Sequence, residues 1–224
     1  MEWDWPFVIE ILPKLIDGVV ITIQASILGS VVAMILGLAL AILRRSQLRI
    51  IRSMVYWFLE FVRGTPLLVQ LYFLFYVLPD VGIVLSPMAT GVIGLGLHYS
   101  AYTAEVYRAG IENVPRGQWE AAHALNFTPA KRIKRIIIPQ IFPIILPPAA
   151  NLTVELLKAT ALVALVTVVD LTFEAKQINS ITWLSAQCFG TALLIYYIIA
   201  RFALVPFLRW LEVLAARKVG KERI

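Results

Sequence analysis

Charged residues, cysteine and histidine are scarce in this chain. Asp, Glu, Lys and Arg make up 15% of its 224 residues, whereas soluble domains contain about 25%. The single cysteine, Cys188, excludes an intrachain disulfide. The two histidines, His98 and His123, offer neither metal-ligand spacing nor a defensible Ser–His–Asp arrangement. No G-x-x-x-x-G-K-[ST] phosphate loop is present. These absences disfavour an ordinary soluble domain and predict a chain that is not an enzyme.

Apolar residues are abundant instead, at 60% of the sequence, and mean hydropathy is +0.81. This composition predicts an all-α integral membrane protein, organised as a single domain over residues 1–224. A membrane helix needs about 20 mostly apolar residues, so we searched for stretches without charge. Residues 159–169 are apolar but too short to cross alone. The five predicted transmembrane helices are Gly18–Leu43, Met54–Leu78, Val81–Ala104, Ile136–Leu157 and Gln177–Ala200.

The basic residues indicate an orientation for these spans. Segments 44–63, 105–135 and 201–224 contain 17 of the 20 Lys and Arg residues. Basic residues concentrate in loops on the cytoplasmic side of membrane proteins, and such loops lie beside anionic lipid. We therefore interpret the positive charge as a membrane-lipid feature and not as nucleic-acid binding. The N-terminal stretch holds one base, Lys14, against Glu2, Asp4, Glu10 and Asp17. The sequence thus predicts an N-terminus outside and a C-terminus inside.

Segment Arg49–Arg63 mixes basic and aromatic residues before an Arg63-Gly64-Thr65-Pro66 sequence. It could form a helix in the inner interface that then turns into the second span. It could equally be the basic end of that span. Pro66 removes a backbone donor and can break a helix, but it could also mark a simple entry turn.

A second helical pattern lies in the inner segment Gly110–Gln140. Gly117–Leu125 is rich in helix formers, and Trp119 and Ala122 fall on one side of it. Asn126 can adopt the left-handed conformation that ends a helix. Thr128 followed by proline predicts the cap of a second helix. The exposed short helix could dock a partner or rest on the bilayer, and the pattern alone does not choose between them.

Several motifs follow one another along the chain. They are GVVITIQAS from Gly18, EFVRGTPLLVQL from Glu60, YTAEVYRAGI from Tyr102, PRGQWEAA from Pro115, Ile138-Pro139-Gln140, and Leu157-Lys158 before Thr160. Together and in this order they resemble permease subunits of ABC importers, in particular the polar amino-acid branch. Asn126 stands where that family usually has glycine. Residues 76–100 are similar to the branch that carries ectoine-type compatible solutes.

The resemblance implies a type I ABC importer permease with a MetI-like fold in the bacterial cytoplasmic membrane. It implies that residues 110–136 are a cytoplasmic coupling loop, the EAA loop, whose helix docks on an ATPase dimer. ATP and magnesium would bind to that partner, and no cofactor to this chain. A second permease chain and an external solute-binding protein are further implied partners. The implied coupling residues are Trp119, Glu120, Ala121, Ala122 and Asn126.

Polar residues inside predicted spans are candidates for a substrate pathway, because they are costly in lipid and usually face a path or a partner. Each candidate also has a structural interpretation: solvation at the outer interface for Glu155 and Lys158, and packing within a span for His98. Glu105 and Arg108, spaced i, i+3, predict a structural ion pair. Ala159 replaces an acidic residue common in the family, which argues against arginine or histidine as substrate. The pathway candidates are Gln70, His98, Tyr99, Glu155, Lys158 and Thr160.

The function predicted from sequence is therefore ATP-driven import of a polar amino acid or related zwitterion. Two alternatives stay open. An integral membrane enzyme or scaffold would have no ATPase partner, and a passive channel would conduct without ATP.

Overall fold

A computed structural model describes residues 3–218, which form α-helices joined by short π and 3-10 segments and contain no β-strand. The all-α prediction is confirmed. Glu2, Lys221 and Arg223, used above to predict orientation, lie outside the described residues. The helices are α1 (Trp5–Leu43), α2 (Arg49–Gly64), α3 (Leu67–Tyr72), α4 (Pro87–Glu112), α5 (Arg116–Ala124), α6 (Pro129–Arg132), α7 (Ile138–Ala159), α8 (Leu171–Thr182), α9 (Ser185–Ile198) and α10 (Val205–Lys218).

Helix α1 is longer than the sequence predicted, because it begins at Trp5 instead of Gly18. The Asp4 side chain caps it by accepting a hydrogen bond from the Phe7 amide at 3.2 Å. Its 39 residues extend over roughly 58 Å at 1.5 Å per residue, which exceeds the bilayer core of about 30 Å. The charged residues of its first turns are exposed while Ile11 and Leu15 are buried, so charge there does not interrupt the helix.

Helix α4 packs along α1 and forms the centre of the bundle. Small residues allow the close approach: a Cβ atom added to Gly37 of α1 would lie 2.8 Å from Cβ of Thr103 on α4. Small residues are typical of tightly packed membrane helices. The buried hydroxyl of Thr103 donates to its own helix, to the Tyr99 carbonyl at 2.8 Å. Because α4 is shielded by its neighbours, it can carry polar and small residues where a lipid-facing helix could not.

Three helical stretches within residues 3–218 are long and apolar enough to cross a membrane: Trp5–Leu43, Pro129–Val166 and Ser185–Ala215. The pair Arg49–Gly64 and Leu67–Val81 would make a fourth if it counts as one span. Helix α4 has 26 residues but falls outside this set, in keeping with its buried position and its glycine, serine and threonine content.

Two predicted spans are not continuous helices, and the break that Pro66 indicated in the second span is present. Met54–Leu78 bends by 104° between Gly64 and Leu67, because Thr65 and Pro66 adopt extended backbone conformations there. Gln177–Ala200 is interrupted at Trp183, which has φ +58° and ends α8. Pro66 indicated the first break as one of two alternatives, whereas nothing in the charge-free stretch 177–200 indicated the second.

One apolar cluster holds α1, α2 and α4 together. Leu40 and Ala41 of α1 pack with Ala101 and Ala104 of α4 and with three buried residues of α2. The α2 members are Val55, Leu59 and Val62. This packing fixes α2 against the bundle and positions the arginines that flank it.

Candidate functional site

The short helix α5 lies against the bundle through a few apolar side chains. Ala122 is fully buried, and Trp119 packs against a cluster formed by Val114, Ile137 and Ile141. Gln140 of α7 donates a hydrogen bond to the Gln118 side-chain oxygen at 3.3 Å. One face of α5 is therefore anchored to the start of the long helical stretch Pro129–Val166.

The opposite face of α5 is exposed and polar or small. Arg116, Gly117, Glu120, Ala121 and His123 are all exposed. Among the side chains of residues 3–215, no basic group lies within the 4.0 Å ion-pair distance of the Glu120 carboxylate. A face of this composition has little apolar area to bury in a bilayer. It presents the unpaired carboxylate of Glu120 beside the small exposed side chain of Ala121.

The turn after α5 has the conformation that the sequence predicted. Asn126 has φ +53°, and the next amide, of Phe127, donates back to the Ala122 carbonyl at 3.1 Å. The Thr128 hydroxyl accepts from the Lys131 amide at 3.4 Å and caps α6. These bonds set the angle between α5 and the helical stretch that follows.

A charged cluster joins the C-terminal ends of α1, α2 and α4. The predicted pair of Glu105 and Arg108 is confirmed, with Nε to Oε2 at 2.7 Å. Arg44 also binds the Glu105 carboxylate, and Arg63 Nη1 lies 3.7 Å from it. Burial alone would raise the pKa of Glu105, but the hydrogen bonds and charges of Arg108 and Arg44 outweigh it, so the net pKa lies below its ordinary value. Glu105 and Arg108 follow the predicted span Val81–Ala104.

Two pathway candidates are joined at the bend between α2 and α3. The Gln70 amide nitrogen donates to the Val62 carbonyl at 2.8 Å and to the Thr65 hydroxyl at 2.7 Å. Its oxygen lies 3.3 Å from His98 Nδ1 on α4. Gln70 therefore satisfies a backbone carbonyl freed by the break and connects the bend to α4.

The other pathway candidates divide by exposure. Tyr99 and Thr160 are buried, and the Thr160 hydroxyl donates to the Leu157 carbonyl at 2.6 Å. Glu155 and Lys158 are exposed on α7. No ion pair joins the two in the part of the chain that the structure describes.

Comparison with known proteins places this fold in a family. The family profile described as the inner membrane component of binding-protein-dependent transport systems matches residues 33–219. This chain belongs to that family. The permease is 42% identical over 177 residues to a probable amino-acid ABC transporter permease of Sinorhizobium fredii, covering 79% of this chain and 77% of the relative. It is 38% identical over 168 residues to the L-cystine transport system permease of Bacillus subtilis, covering 75% and 72%.

Solved structures agree with this assignment. The permease superimposes on a chain from the crystal structure of an amino acid ABC transporter with histidines, with a TM-score of 0.87 and 32% identity over 95% of this chain and 99% of that one. An inward-facing structure of the MetNI methionine ABC transporter shares the fold, with a TM-score of 0.66 and 18% identity over 97% and 100%. The resemblance to amino-acid ABC permeases is thereby confirmed, as is the multi-pass helical architecture of the family.

Sequence reasoning missed two buried or half-buried polar groups. Arg44 binds Glu105 from 61 positions away, and no local spacing predicts such a contact. Asp170 is fully buried, caps α8 by accepting from the Phe173 amide at 2.9 Å, and accepts from the Tyr196 hydroxyl at 3.0 Å. An aspartate immediately before a helical pattern is a recognisable cap signal, so Asp170 could have been found.

Proposed function

We propose that this permease imports a polar amino acid or a related zwitterion across the bacterial cytoplasmic membrane, driven by a separate ATPase. Its relatives are named as permeases for amino acids, L-cystine or nopaline, which supports this class of solute. The ectoine-type resemblance of residues 76–100 stays a prediction.

The observation that carries the proposal is the exposed polar face of α5. Glu120 supplies a free charge for an ATPase cleft, and Ala121 permits close contact. Buried Ala122, half-buried Trp119 and the Asn126 turn connect that face to the membrane helix. Movement of the ATPase subunits would push α5 and shift the stretch that follows.

The complete importer needs partners that this chain does not supply. We propose a cytoplasmic ATPase dimer that holds ATP and magnesium, a second identical or related permease chain, and an external solute-binding protein. In this arrangement the permease contributes five spans, with its N-terminus outside and its C-terminus inside. Helix α4 corresponds to the predicted span Val81–Ala104; it is less apolar than the other spans because its neighbours cover it.

The pathway proposal concerns α7 and the bend between α2 and α3. Glu155 and Lys158 are exposed from this chain and free of an ion pair within residues 3–218, so they are available to a solute or a facing chain. We place Gln70 and His98 beside the path, with Tyr99 and Thr160 behind it. The absence of a carboxylate at Ala159 favours a solute without a cationic side chain.

Charge reversal at the docking face tests the coupling proposal. Glu120→Lys should abolish copurification with the ATPase and solute-stimulated ATP hydrolysis, and it should leave thermal stability in detergent unchanged because Glu120 is exposed and has no ion-pair partner among the side chains of residues 3–215. Glu10→Lys, the same reversal on an exposed residue of the predicted outer side, is the matched control and should behave like wild type.

Two results would overturn the proposal. A Glu120→Lys variant that still couples fully would remove α5 as the docking helix. A wild-type chain that is stable and active without any ATPase would instead support a membrane enzyme, a scaffold or a passive channel.

A further inference from the structure

A basic pocket lies beside α2, and its lining contains none of the proposed pathway or coupling residues. Its volume is about 470 Å³, which is within the usual range for ligand sites. It is formed where the turn after α1 meets α2 and the end of α4. Its lining includes five arginines, which are Arg44, Arg45, Arg49, Arg52 and Arg108, together with Ser53, Tyr56 and Glu112.

Only part of this positive charge is compensated within the chain. Arg44 and Arg108 bind Glu105, and Arg108 also binds Glu112 at 2.6 Å. Over residues 3–218, no carboxylate lies within 4.0 Å of the other three arginines, Arg45, Arg49 and Arg52. Like charges held in one concave site repel each other, so an anion bound there would be stabilised by all three.

The remaining surface of α2 indicates where the pocket sits. Ile50, Met54, Trp57 and Phe61 recur at helical spacing and are each 67–75% exposed. They form an apolar stripe beside the Arg49–Arg52 face of α2. Val55, Leu59 and Val62, on the third face of the same helix, are buried against α1 and α4. A helix with one basic and one apolar exposed face lies in the plane of a membrane interface. The pocket is then at the depth of the lipid phosphates.

The pocket also adjoins the docking helix. The Arg45 guanidinium lies 6.0 Å from the centre of the Trp119 ring on α5. The pocket is therefore on the same side of the molecule as the coupling loop, which is the cytoplasmic side if the orientation in the proposed function holds. Anionic lipids of the cytoplasmic leaflet attract basic residues at that surface.

We propose that this pocket binds the phosphate headgroup of an anionic phospholipid, with Arg45, Arg49 and Arg52 as the principal ligands. Arginine forms paired hydrogen bonds with phosphate oxygens, so three arginines supply more than enough donors for the two non-bridging oxygens of one headgroup, whose single negative charge would offset part of their positive charge. The exposed stripe of α2 would contact the acyl chains of the same lipid.

Thermal unfolding of the purified full chain in detergent, with and without short-chain lipid, tests this site. Dioctanoyl phosphatidylglycerol should raise the wild-type midpoint by about 3 °C or more near saturation. Dioctanoyl phosphatidylcholine, which has the same chains without net charge, should raise it much less. Equimolar inorganic phosphate should have little effect, because it lacks the apolar contacts.

Variants locate the effect. Arg49→Gln with Arg52→Gln should lose most of the phosphatidylglycerol shift, whereas Arg201→Gln with Arg209→Gln, two exposed arginines outside the pocket, should keep it. Ser53→Asp adds one carboxylate to the lining and should weaken the shift without removing an arginine, which covers the case of a double variant that folds poorly.

Several outcomes would overturn the proposal. If phosphatidylglycerol raised the unfolding midpoint equally in both double variants, the pocket would be excluded as the binding site. If phosphatidylcholine raised the wild-type midpoint as much as phosphatidylglycerol does, the effect would be apolar binding alone. A full shift with inorganic phosphate alone would make this a site for free phosphate. Loss of ATPase copurification in Arg49→Gln with Arg52→Gln, with an unchanged lipid shift, would make it a protein contact.

The proposed membrane orientation is tested by a different experiment from the lipid site. Labelling of Gln47→Cys by an impermeant maleimide from outside the cell would refute the proposed topology. The lipid shift in detergent is measured without reference to sidedness, so it would be unaffected by that result.

Discussion

At the scale of single residues, Glu105 is where arginines from three helices converge. Its carboxylate binds Arg44 of the α1 end and Arg108 of α4, and Arg63 of α2 lies 3.7 Å away. Because side chains of α1, α2 and α4 meet at one half-buried acid, its loss would leave three cations facing each other.

We expect Glu105→Gln to destabilise the permease by about 1–2 kcal/mol at neutral pH, since it keeps the shape and removes the charge. The pKa of Glu105 is lowered by folding, so its contribution is complete above its unfolded pKa and is lost as pH falls through the lower folded pKa. The difference in unfolding midpoint between wild type and variant should therefore be constant from neutral pH down to the unfolded pKa and shrink below it.

Glu60→Gln is the matched control for this measurement. Glu60 is an exposed partner of Arg63 on α2, and exposed pairs contribute little. A stability loss as large as that of Glu105→Gln would mean that general charge balance, and not the Glu105 cluster, holds the inner helix ends.

At the scale of the elements, the turn between α5 and α6 depends on one backbone conformation. Asn126 has φ +53°, which asparagine and glycine tolerate and β-branched residues do not. The turn fixes how α5 is joined to the helical stretch that follows.

Asn126→Val should therefore strain the turn by about 1–3 kcal/mol, and Asn126→Gly should be neutral or better. In the assembled importer, Asn126→Val should lower solute-stimulated ATP hydrolysis while Asn126→Gly retains it. Ala124→Val places the same side chain at an exposed helical position two residues earlier and should cost only about half a kcal/mol. Equal losses in Asn126→Val and Ala124→Val would assign the effect to β-branching in α5 and not to the turn.

At the scale of the whole molecule, the five-span arrangement makes a prediction about sidedness. Cys188 is buried, so the native chain provides a low background for thiol labelling. Single cysteines at Glu10 and Asp80 should react with an impermeant maleimide added outside the cell. Cysteines at Gln47 and Arg116 should react only after the membrane is opened; all four positions are exposed in the fold.

Labelling of the Asp80 position only from inside would contradict two of the predicted crossings, since it would place the α3–α4 connection on the wrong side. Labelling of the Glu10 and Arg116 positions from the same side would contradict an odd number of crossings between them.

Local patterns predicted much of this protein. The left-handed Asn126, the Thr128 cap and the pair of Glu105 with Arg108 depend on residues at most a few positions apart, and the structure has them all. Contacts such as Arg44 with Glu105, or Gln70 with His98, join residues 61 and 28 positions apart. They depend on how the helices pack, which no spacing in the sequence encodes.

The sequence by itself determined that the chain is apolar, helical and without a phosphate loop, because composition and charge spacing are properties of the chain alone. Only the tertiary structure decided which apolar segments run straight. It selected a 104° bend at Thr65 and Pro66 over a simple entry turn, ended α8 at Trp183, and placed the small and polar residues of α4 at the centre. Packing determines these features, because a helix shielded by its neighbours is freed from the requirement to be apolar that lipid imposes on the others.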